Sequence, residues 1–221
     1  LFMKPVFSAA KQDRKRVVLT EGEDERVLHA TQEIVDGSLA FPILIGRPAV
    51  IQRRIEKLGL RIRPGVDFEL VNNEDDPRYR EYWMDYYTLM KRRGVSQELA
   101  RREVRRKTTL IGSLMLRRGE ADAMVCGTFG TYDMHMTFVQ EVLGLREGCT
   151  TAAAMNALLL PTGNIFIADT YVNANPTTGY DWELIEVDPA ILSQVGDVDY
   201  KADSMLIGSG RSRIPTSASW R

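Results

Sequence analysis

Apolar and polar positions along the first third of the chain predict strands that alternate with helices. Short apolar runs at residues 16–19, 40–45 and 68–72 are typical of buried strands. Between them, residues 27–35 and 49–58 carry apolar side chains every three or four positions, as one face of a helix requires. This β-α-β-α order favours an α/β protein with a largely parallel sheet.

The second half of the chain continues the alternation. Ser96 can cap a long helix that runs to about Arg118, and we expect that helix to break near Gly112. Residues 121–126 predict another buried strand, which leads directly into a loop, and residues 134–143 predict a further helix.

A hairpin is predicted after these elements. The strongly apolar segment 152–160 ends at the turn-forming residues 161–164, and residues 165–168 are typical of a returning strand. We therefore expect a strand, a tight turn and a second strand over this part of the chain.

Charge is distributed unevenly between two neighbouring stretches. Residues 66–87 contain seven acids and two arginines, whereas residues 91–118 contain ten basic residues and two acids. The basic stretch is either a surface for phosphate-bearing ligands, which arginine binds bidentately, or a solvated helix face whose charges pair with the acids. Apolar residues at helical spacing within it favour the second interpretation: Leu99, Val104, Leu110, Leu114 and Leu116.

Aromatic residues are concentrated in the acidic stretch. Their spacing fits a helix packed on a core better than a stacking platform for bases, which the surrounding acids would repel: Tyr79, Tyr82, Trp83, Tyr86 and Tyr87. The 221 residues are 44% hydrophobic and 27% charged, with a net charge of −1, so the composition gives no reason to expect a nucleic-acid or membrane partner.

Targeting signals and cysteine chemistry are not apparent in the sequence. No apolar run is long enough for a membrane helix and residues 1–5 lack a signal-peptide pattern, so we predict a cytoplasmic protein. Cys126 and Cys149 lack metal-ligand spacing and are predicted to be buried, reduced thiols.

Two segments follow predicted strands and could carry chemistry. The loop 126–131 contains two glycines and two threonines ahead of a helix, so it is either a cradle for phosphate or carboxylate or a tight structural turn. The segment 168–173 places Asp169 and Asn173 after an apolar strand, and a carboxylate there needs a partner or a cleft. Ligands of open parallel sheets bind at such carboxyl ends.

The histidines and the cysteine of the loop are weaker candidates. His29 is predicted to lie at the surface of the first helix, and His135 follows the loop and could approach a ligand, but neither has triad or metal spacing. Cys126 is either a nucleophile or a small buried residue that lines the turn, and the second interpretation is favoured.

Several motifs together resemble the phosphate acetyl/butyryl transferase family. The similar segments are 18–28, 42–46, 120–128 and 167–173. Other segments resemble, more narrowly, the carboxy-terminal transferase-like domain of large bacterial NADP-dependent malic enzymes: 1–7, 76–83 and 154–161. The resemblance spans residues 1–177, which we predict to be the amino-terminal part of a transferase-like domain.

The resemblance implies a three-layer α/β/α fold. The chain would form the first lobe of the two-lobed phosphate acetyltransferase-like fold, which is also the fold of isocitrate and isopropylmalate dehydrogenases, with a ligand cleft between lobes. By family position, Gly127, Thr128 and Thr131 would lie in the phosphate-side loop, and Asp169 and Asn173 in the adjacent cleft wall. No catalytic residue and no metal ligand is assigned to this chain.

The resemblance also implies a function. Free-standing relatives transfer an acetyl group between coenzyme A and phosphate, whereas the domain in malic enzymes resembles a regulatory and oligomerising module that responds to acetyl-CoA. Malate oxidation, with NADP and Mg²⁺ or Mn²⁺, would belong to a malic-enzyme catalytic domain elsewhere in the intact chain. We expect an acyl or phosphate ligand and a homo-oligomer, and the alternatives are a phosphate acetyltransferase and a dimerisation scaffold without a ligand.

One departure from the family pattern bears on catalysis. Active transferases commonly carry an arginine in the helix after the loop, where this chain has Met136 and Thr137, and Arg146 is a candidate to replace its charge. Together with the missing second half of the cleft, this predicts that the fragment is inactive alone in acetyl transfer.

Residues 178–221 do not resemble the family. One interpretation is a frameshift, because one codon choice for 212–220 reads Ser-His-Ser-Asn-Phe-Gly, a family stretch, in a neighbouring frame. The other is a divergent terminus. If the frame is shifted, apolar surface of the first lobe would be uncovered, and we expect poor solubility or association with another chain.

Overall fold

The computed structural model describes residues 3–145, 149, 152, 154–160 and 163–168. They belong to two compact units, divided between residues 146 and 147, and each unit is described by itself. The elements of the first unit are α1 (Met3–Gln12), β1 (Arg16–Leu19), α2 (Glu25–Asp36), β2 (Phe41–Ile45), α3 (Pro48–Leu58), β3 (Glu69–Val71), α4 (Tyr79–Met90), a 3₁₀ turn (Lys91–Arg93), α5 (Gln97–Arg106), α6 (Thr108–Arg117), β4 (Ala123–Val125) and α7 (Tyr132–Val142).

The strands of the first unit form a four-stranded parallel sheet in the order β3-β2-β1-β4. Val17 pairs with Pro42 of β2 on one side and with Ala123 of β4 on the other. The chain therefore adds strands in one direction from β1 to β3 and then returns to the opposite side of β1. Parallel strands need such crossovers, and helices supply them here.

Helices cover both faces of this sheet, because side chains of adjacent strand residues point to opposite faces. Val18 and Ile43 belong to a core that contains residues of α4, α5, α6 and α7. Leu19 and Leu44, the next residue along each strand, belong to a second core with Leu28 of α2 and residues of α3. The predicted three-layer α/β/α architecture with a largely parallel sheet is thus confirmed.

The predicted long helix after Ser96 is two helices. Ser96 caps α5 as expected, since its hydroxyl accepts a hydrogen bond from the backbone N–H of Leu99. The break lies at Lys107, whose extended backbone (φ −113°, ψ 94°) separates α5 from α6, so the prediction of a break near Gly112 was wrong. Gly112 lies inside α6, where a Cβ would come within 2.9 Å of the Thr20 methyl group.

The aromatic stretch forms α4 and packs on α5 and α6, as predicted. Tyr82 and Tyr86 are buried in the first core. Trp83 and Tyr79 are half-buried, and the guanidinium groups of Arg101 and Arg105 lie 4.3 and 4.6 Å from the centres of their rings. These contacts bind the basic stretch to the aromatic one.

An ion-pair network joins the acidic and basic stretches on another side of α4. Arg118 pairs with Glu81, with Asp85 at 2.7 Å and with Glu120 at 2.6 Å. Arg78 also pairs with Glu120, at 3.3 Å. Charges of the two stretches therefore neutralise one another in part, as the second interpretation of the basic stretch expects.

The second unit contains the predicted hairpin. β5 (Met155–Leu160) and β6 (Gly163–Ala168) pair antiparallel, with Leu160 opposite Gly163 and Met155 opposite Ala168.

The tail 178–221 and the proposed domain boundary at residue 177 lie outside the described residues and stay predictions. Helix α1 was not anticipated from the sequence. None of the helices among the described residues is long and apolar enough to cross a membrane.

Acid stability should depend on the ion pair that joins the start of β1 to the turn before β4. The Arg16 guanidinium donates to both oxygens of Asp122 (3.1 and 2.8 Å), and its backbone N–H donates as well, which holds the pKa of Asp122 at about 2. A lowered folded-state pKa stabilises the fold above the unfolded-state value of about 4, and that contribution is lost as the pH falls towards 2. Between pH 5 and pH 2.5, the urea midpoint of Asp122→Asn should therefore fall less than that of the wild type.

The control for this measurement is Asp75→Asn, which removes the same charge at an exposed position. Its midpoint should fall with pH as steeply as that of the wild type. Equal slopes for Asp122→Asn and the wild type would show that the Arg16 ion pair does not contribute to acid stability.

Candidate functional site

The candidate site lies where the order of strands reverses. β1 and β4 are neighbours in the sheet but belong to opposite directions of strand addition, and open α/β sheets usually bind ligands at the carboxyl ends of two such strands. The loops involved are 20–24 after β1 and 126–131 after β4. A hydrogen bond from the backbone N–H of Thr20 to the carbonyl oxygen of Val125 (3.1 Å) holds the two strand ends together.

The loop 126–131, here called the Gly-Thr loop, depends on its two glycines. Gly127 and Gly130 have φ values of 101° and 92°, a region that favours glycine. A Cβ on Gly130 would also lie 3.2 Å from Nε2 of His135. The predicted close turn is therefore present, and it leads into α7.

Glu21 is the residue of this site that sequence reasoning missed. Its side chain is 5% exposed, and its carboxylate accepts from the backbone N–H of Gly127 (3.3 Å) and from the hydroxyl of Thr128 (3.4 Å). The pairing of β1 with β4 brings it to the Gly-Thr loop from more than a hundred residues away in sequence. Its signals in the sequence were its position two residues after a buried strand and its place in the segment 18–28, which resembles the family.

Arg26 approaches the same loop from α2. It forms a bidentate pair with Asp24, the residue that caps α2, and its Nη2 also donates to the carbonyl oxygen of Thr128 (3.2 Å). Its guanidinium is largely exposed, with 73% of the side chain accessible. Among the described residues, Glu21 and Arg26 thus form hydrogen bonds with the Gly-Thr loop, and Asp24 pairs with Arg26.

His135 supports the Gly-Thr loop through a hydrogen bond to its backbone. It is buried, its Nε2 donates to the carbonyl oxygen of Phe129 (2.8 Å), and its Nδ1 therefore accepts from the hydroxyl of Thr109 (2.7 Å). Both ring nitrogens are committed to the fold, so this histidine braces the loop and does not face a ligand. His29 is exposed on α2, as predicted.

Cys126 is a poor nucleophile in this environment. Burial, with a further contribution from the negative charge of Glu21, raises the pKa of its thiol above the usual value. The thiolate is the reactive form of cysteine, so a raised pKa leaves Cys126 protonated near neutral pH. Its interpretation as a small residue that lines the turn is supported, but the predicted burial of the two thiols was wrong, since Cys126 is half-buried and Cys149 is exposed.

The other residues that were discussed from the sequence lie in different parts of the chain. Thr131 caps α7, with its hydroxyl accepting from the backbone N–H of Met134 (3.4 Å). Thr137 is exposed on α7, and its hydroxyl donates to the carbonyl oxygen of Asp133. Asp169, Asn173 and Arg146 lie outside the described residues, so the structure brings together Gly127 and Thr128 but does not test the predicted cleft wall.

The part of the chain that the structure describes contains no evident site for a metal ion. No group of three or more histidine, cysteine or acidic side chains is close enough there to hold a metal ion. The polar groups at the Gly-Thr loop are instead the Gly127 N–H and the Thr128 hydroxyl, which donate to Glu21, and the largely exposed guanidinium of Arg26.

Comparison with known proteins identifies relatives of this chain. The chain is 64% identical over 177 residues to the NADP-dependent malic enzyme of Salmonella typhimurium, and 64% identical over 176 residues to that of Escherichia coli K12. Each alignment covers 80% of this chain and 23% of the relative. The chain thus spans about a quarter of the length of the malic enzymes that it matches.

A solved structure and a family profile agree with these relatives. A phosphotransacetylase from Streptococcus pyogenes has a similar fold, with a TM-score of 0.68 and 19% identity over 79% of this chain and 54% of the other. The profile described as Phosphate acetyl/butaryl transferase matches residues 1–188. Since that match covers most of its length, the chain belongs to the phosphate acetyl/butyryl transferase family.

Proposed function

We propose that this chain is an acetyl-CoA-responsive regulatory and oligomerising module of an NADP-dependent malic enzyme. Its high identity to a region of such enzymes supports the enzyme class. Its membership of a transferase family supports a site for an acyl or phosphate-bearing ligand. In the intact protein, a separate catalytic domain would oxidise and decarboxylate malate with NADP and Mg²⁺ or Mn²⁺.

A binding role is supported by the hydrogen bonds and the protonation of the polar groups around the Gly-Thr loop. Gly127 and Thr128 carry donors at the strand ends where the order of strands reverses, and both donate to Glu21 in this structure. Both nitrogens of His135 are engaged by the fold, and the pKa of the Cys126 thiol is raised, so neither residue is poised as base or nucleophile. Such a loop is suited to recognise a ligand without transforming it.

The ligand site in this proposal extends beyond the Gly-Thr loop. Gly127 and Thr128 would bind the acyl end of acetyl-CoA, and Thr131 would hold the loop on α7. By family position, Asp169 and Asn173 would lie in the adjacent cleft wall. A dimer of these modules would transmit the binding of acetyl-CoA to the malic-enzyme domain.

Calorimetric titration of the purified chain with acetyl-CoA tests this function. We expect saturable heat and a rise of several degrees in melting temperature at saturating ligand, because a ligand that binds the folded state stabilises it. Free coenzyme A is the control for recognition of the acetyl group and should bind more weakly.

The rival functions give different outcomes in the same series. Formation of acetyl phosphate from acetyl-CoA and inorganic phosphate would identify a phosphate acetyltransferase. The absence of heat and of a thermal shift, together with a dimer by sedimentation, would leave a scaffold without a ligand. Either result would overturn the regulatory proposal.

A further inference from the structure

The first turn of α6 contacts α7 at two points. The chain leaves the helical conformation at Lys107, although no glycine or proline marks the break, and α6 then begins at Thr108. The Lys107 ammonium lies 6.0 Å from the centre of the Phe138 ring of α7. The hydroxyl of Thr109 is hydrogen-bonded to Nδ1 of His135, also on α7, at 2.7 Å. The break therefore places a threonine against the helix that follows the Gly-Thr loop.

The hydrogen bonds of His135 have a fixed direction. Its Nε2 lies 2.8 Å from the carbonyl oxygen of Phe129, which can only accept, so Nε2 carries a proton. Nδ1 of the neutral ring is then an acceptor, and the Thr109 hydroxyl is its donor. Thr109 is 4% exposed and His135 is 8% exposed, so both bonds are shielded from water. One imidazole ring thus connects the Phe129 carbonyl to α6.

The Gly-Thr loop depends on such a connection because Phe129 lies close to two glycines. Gly127 and Gly130 have φ values of 101° and 92°, and glycine changes conformation more freely than other residues. The Phe129 carbonyl accepts from His135, its one hydrogen-bond partner among the described residues. The orientation of the imidazole ring therefore decides where this part of the loop is held.

Removal of the Thr109 hydroxyl would release the ring. Within the described part of the chain, that hydroxyl is the one partner of Nδ1. A buried acceptor without a donor is costly, and the imidazole would regain a partner by rotating towards water. Because that rotation breaks the bond from Nε2 to Phe129, the loop would lose its connection to α7.

We propose that Thr109 is a positioning residue of the Gly-Thr loop, because its hydroxyl holds the His135 ring in the orientation that fixes the Phe129 carbonyl. Thr109 itself would touch no ligand. The inference rests on the proposed function, since the loop is the candidate ligand site. It adds a residue outside the loop to the groups that set the affinity for acetyl-CoA.

The test compares Thr109→Val, which has nearly the same shape but no hydroxyl, with Thr109→Ser, which keeps the hydroxyl. In Thr109→Val, the nitrogen NMR signal of His135 Nδ1 should lose the shift of a hydrogen-bonded acceptor, and the amide signals of Phe129 and Gly130 should move. Calorimetric titration should show affinity for acetyl-CoA that is weaker by about fivefold or more. Thr109→Ser should restore the wild-type spectrum and affinity.

The matched control is Thr108→Val, which removes a hydroxyl from the same turn of α6. Thr108 is half-buried and has no hydrogen bond to His135. Its spectrum around the Gly-Thr loop and its affinity should stay at the wild-type values. Equal changes in Thr108→Val and Thr109→Val, or unchanged loop signals in Thr109→Val, would overturn the inference.

A measurement on the wild type decides the matter even if Thr109→Val fails to fold. Nitrogen NMR of His135 should show a proton on Nε2 and none on Nδ1, with a slowly exchanging hydroxyl proton of Thr109 close to the ring. A proton on Nδ1 would refute the inference. If acetyl-CoA gives no heat with any of these proteins but the loop signals move in Thr109→Val alone, the proposed function fails while the positioning role stands.

Discussion

Replacing Tyr82 with alanine should lower the free energy of unfolding by about 3–5 kcal/mol, the usual cost of removing a buried aromatic ring. The side chain is 1% exposed, and its ring lies in the core that α4 shares with α5 and α6. Its hydroxyl donates to a carboxylate oxygen of Glu120 at 2.6 Å. Urea denaturation at neutral pH, followed by circular dichroism, measures the change.

Tyr82→Phe separates the ring from the hydroxyl. It keeps the packing and removes only the hydrogen bond, for which about 1–2 kcal/mol is expected. Glu120 stays paired with Arg78 and Arg118 in this variant, so no buried charge is abandoned. If alanine and phenylalanine cost the same, the hydroxyl and not the packed ring would be the stabilising group.

Replacing Gly22 with alanine should cost about 2 kcal/mol, and with leucine more than about 3 kcal/mol, because there is no space for a side chain. A Cβ at this position would lie 2.8 Å from the carbonyl oxygen of Ile45 and 2.9 Å from the Cβ of Leu44. The backbone N–H of Gly22 also donates to that carbonyl (3.1 Å), so the loop cannot move away without losing a bond. Thermal and urea unfolding measure the loss.

Gly59 is the control for this steric argument. It ends α3 with φ at 64°, and nothing lies within 4 Å of a Cβ built on it. Alanine and leucine there should cost a similar amount, of about 1 kcal/mol, from the left-handed backbone alone. If Gly22→Leu is no more destabilising than Gly22→Ala, the close approach of β2 is not what requires glycine.

Local pattern was sufficient to predict much of the fold, because it reports which residues a strand or helix buries. It was wrong about the burial of β4, in which Ala123 and Val125 are exposed. Val18 and Ile43 are core residues of strands that short apolar runs had indicated. The sequence pattern did not predict the position of the break between α5 and α6. Gly112 is intrinsically a weak helix former, but packing against Thr20 and Val18 makes a glycine suitable inside α6, whereas Lys107 bears no local mark of a break.

The candidate site was predictable only in part. The glycines and threonines of the Gly-Thr loop suggested a close turn after a strand, and the turn is there. Glu21 could not be placed beside Thr128, because their proximity depends on the order of strands and not on any local signal. His135 shows the converse, since a sequence position next to the loop said nothing about its two buried hydrogen bonds.

The pairing of β1 with β4 has a consequence for synthesis on the ribosome. Arg16 and Asp122, which close this pairing, are 106 residues apart. At about 5–20 residues per second, the chain needs some 5–20 s to extend from β1 to β4. During that interval one edge of β1 has no partner from its own sheet, so a nascent chain stalled before β4 is the species in which a chaperone would have the most exposed strand to protect.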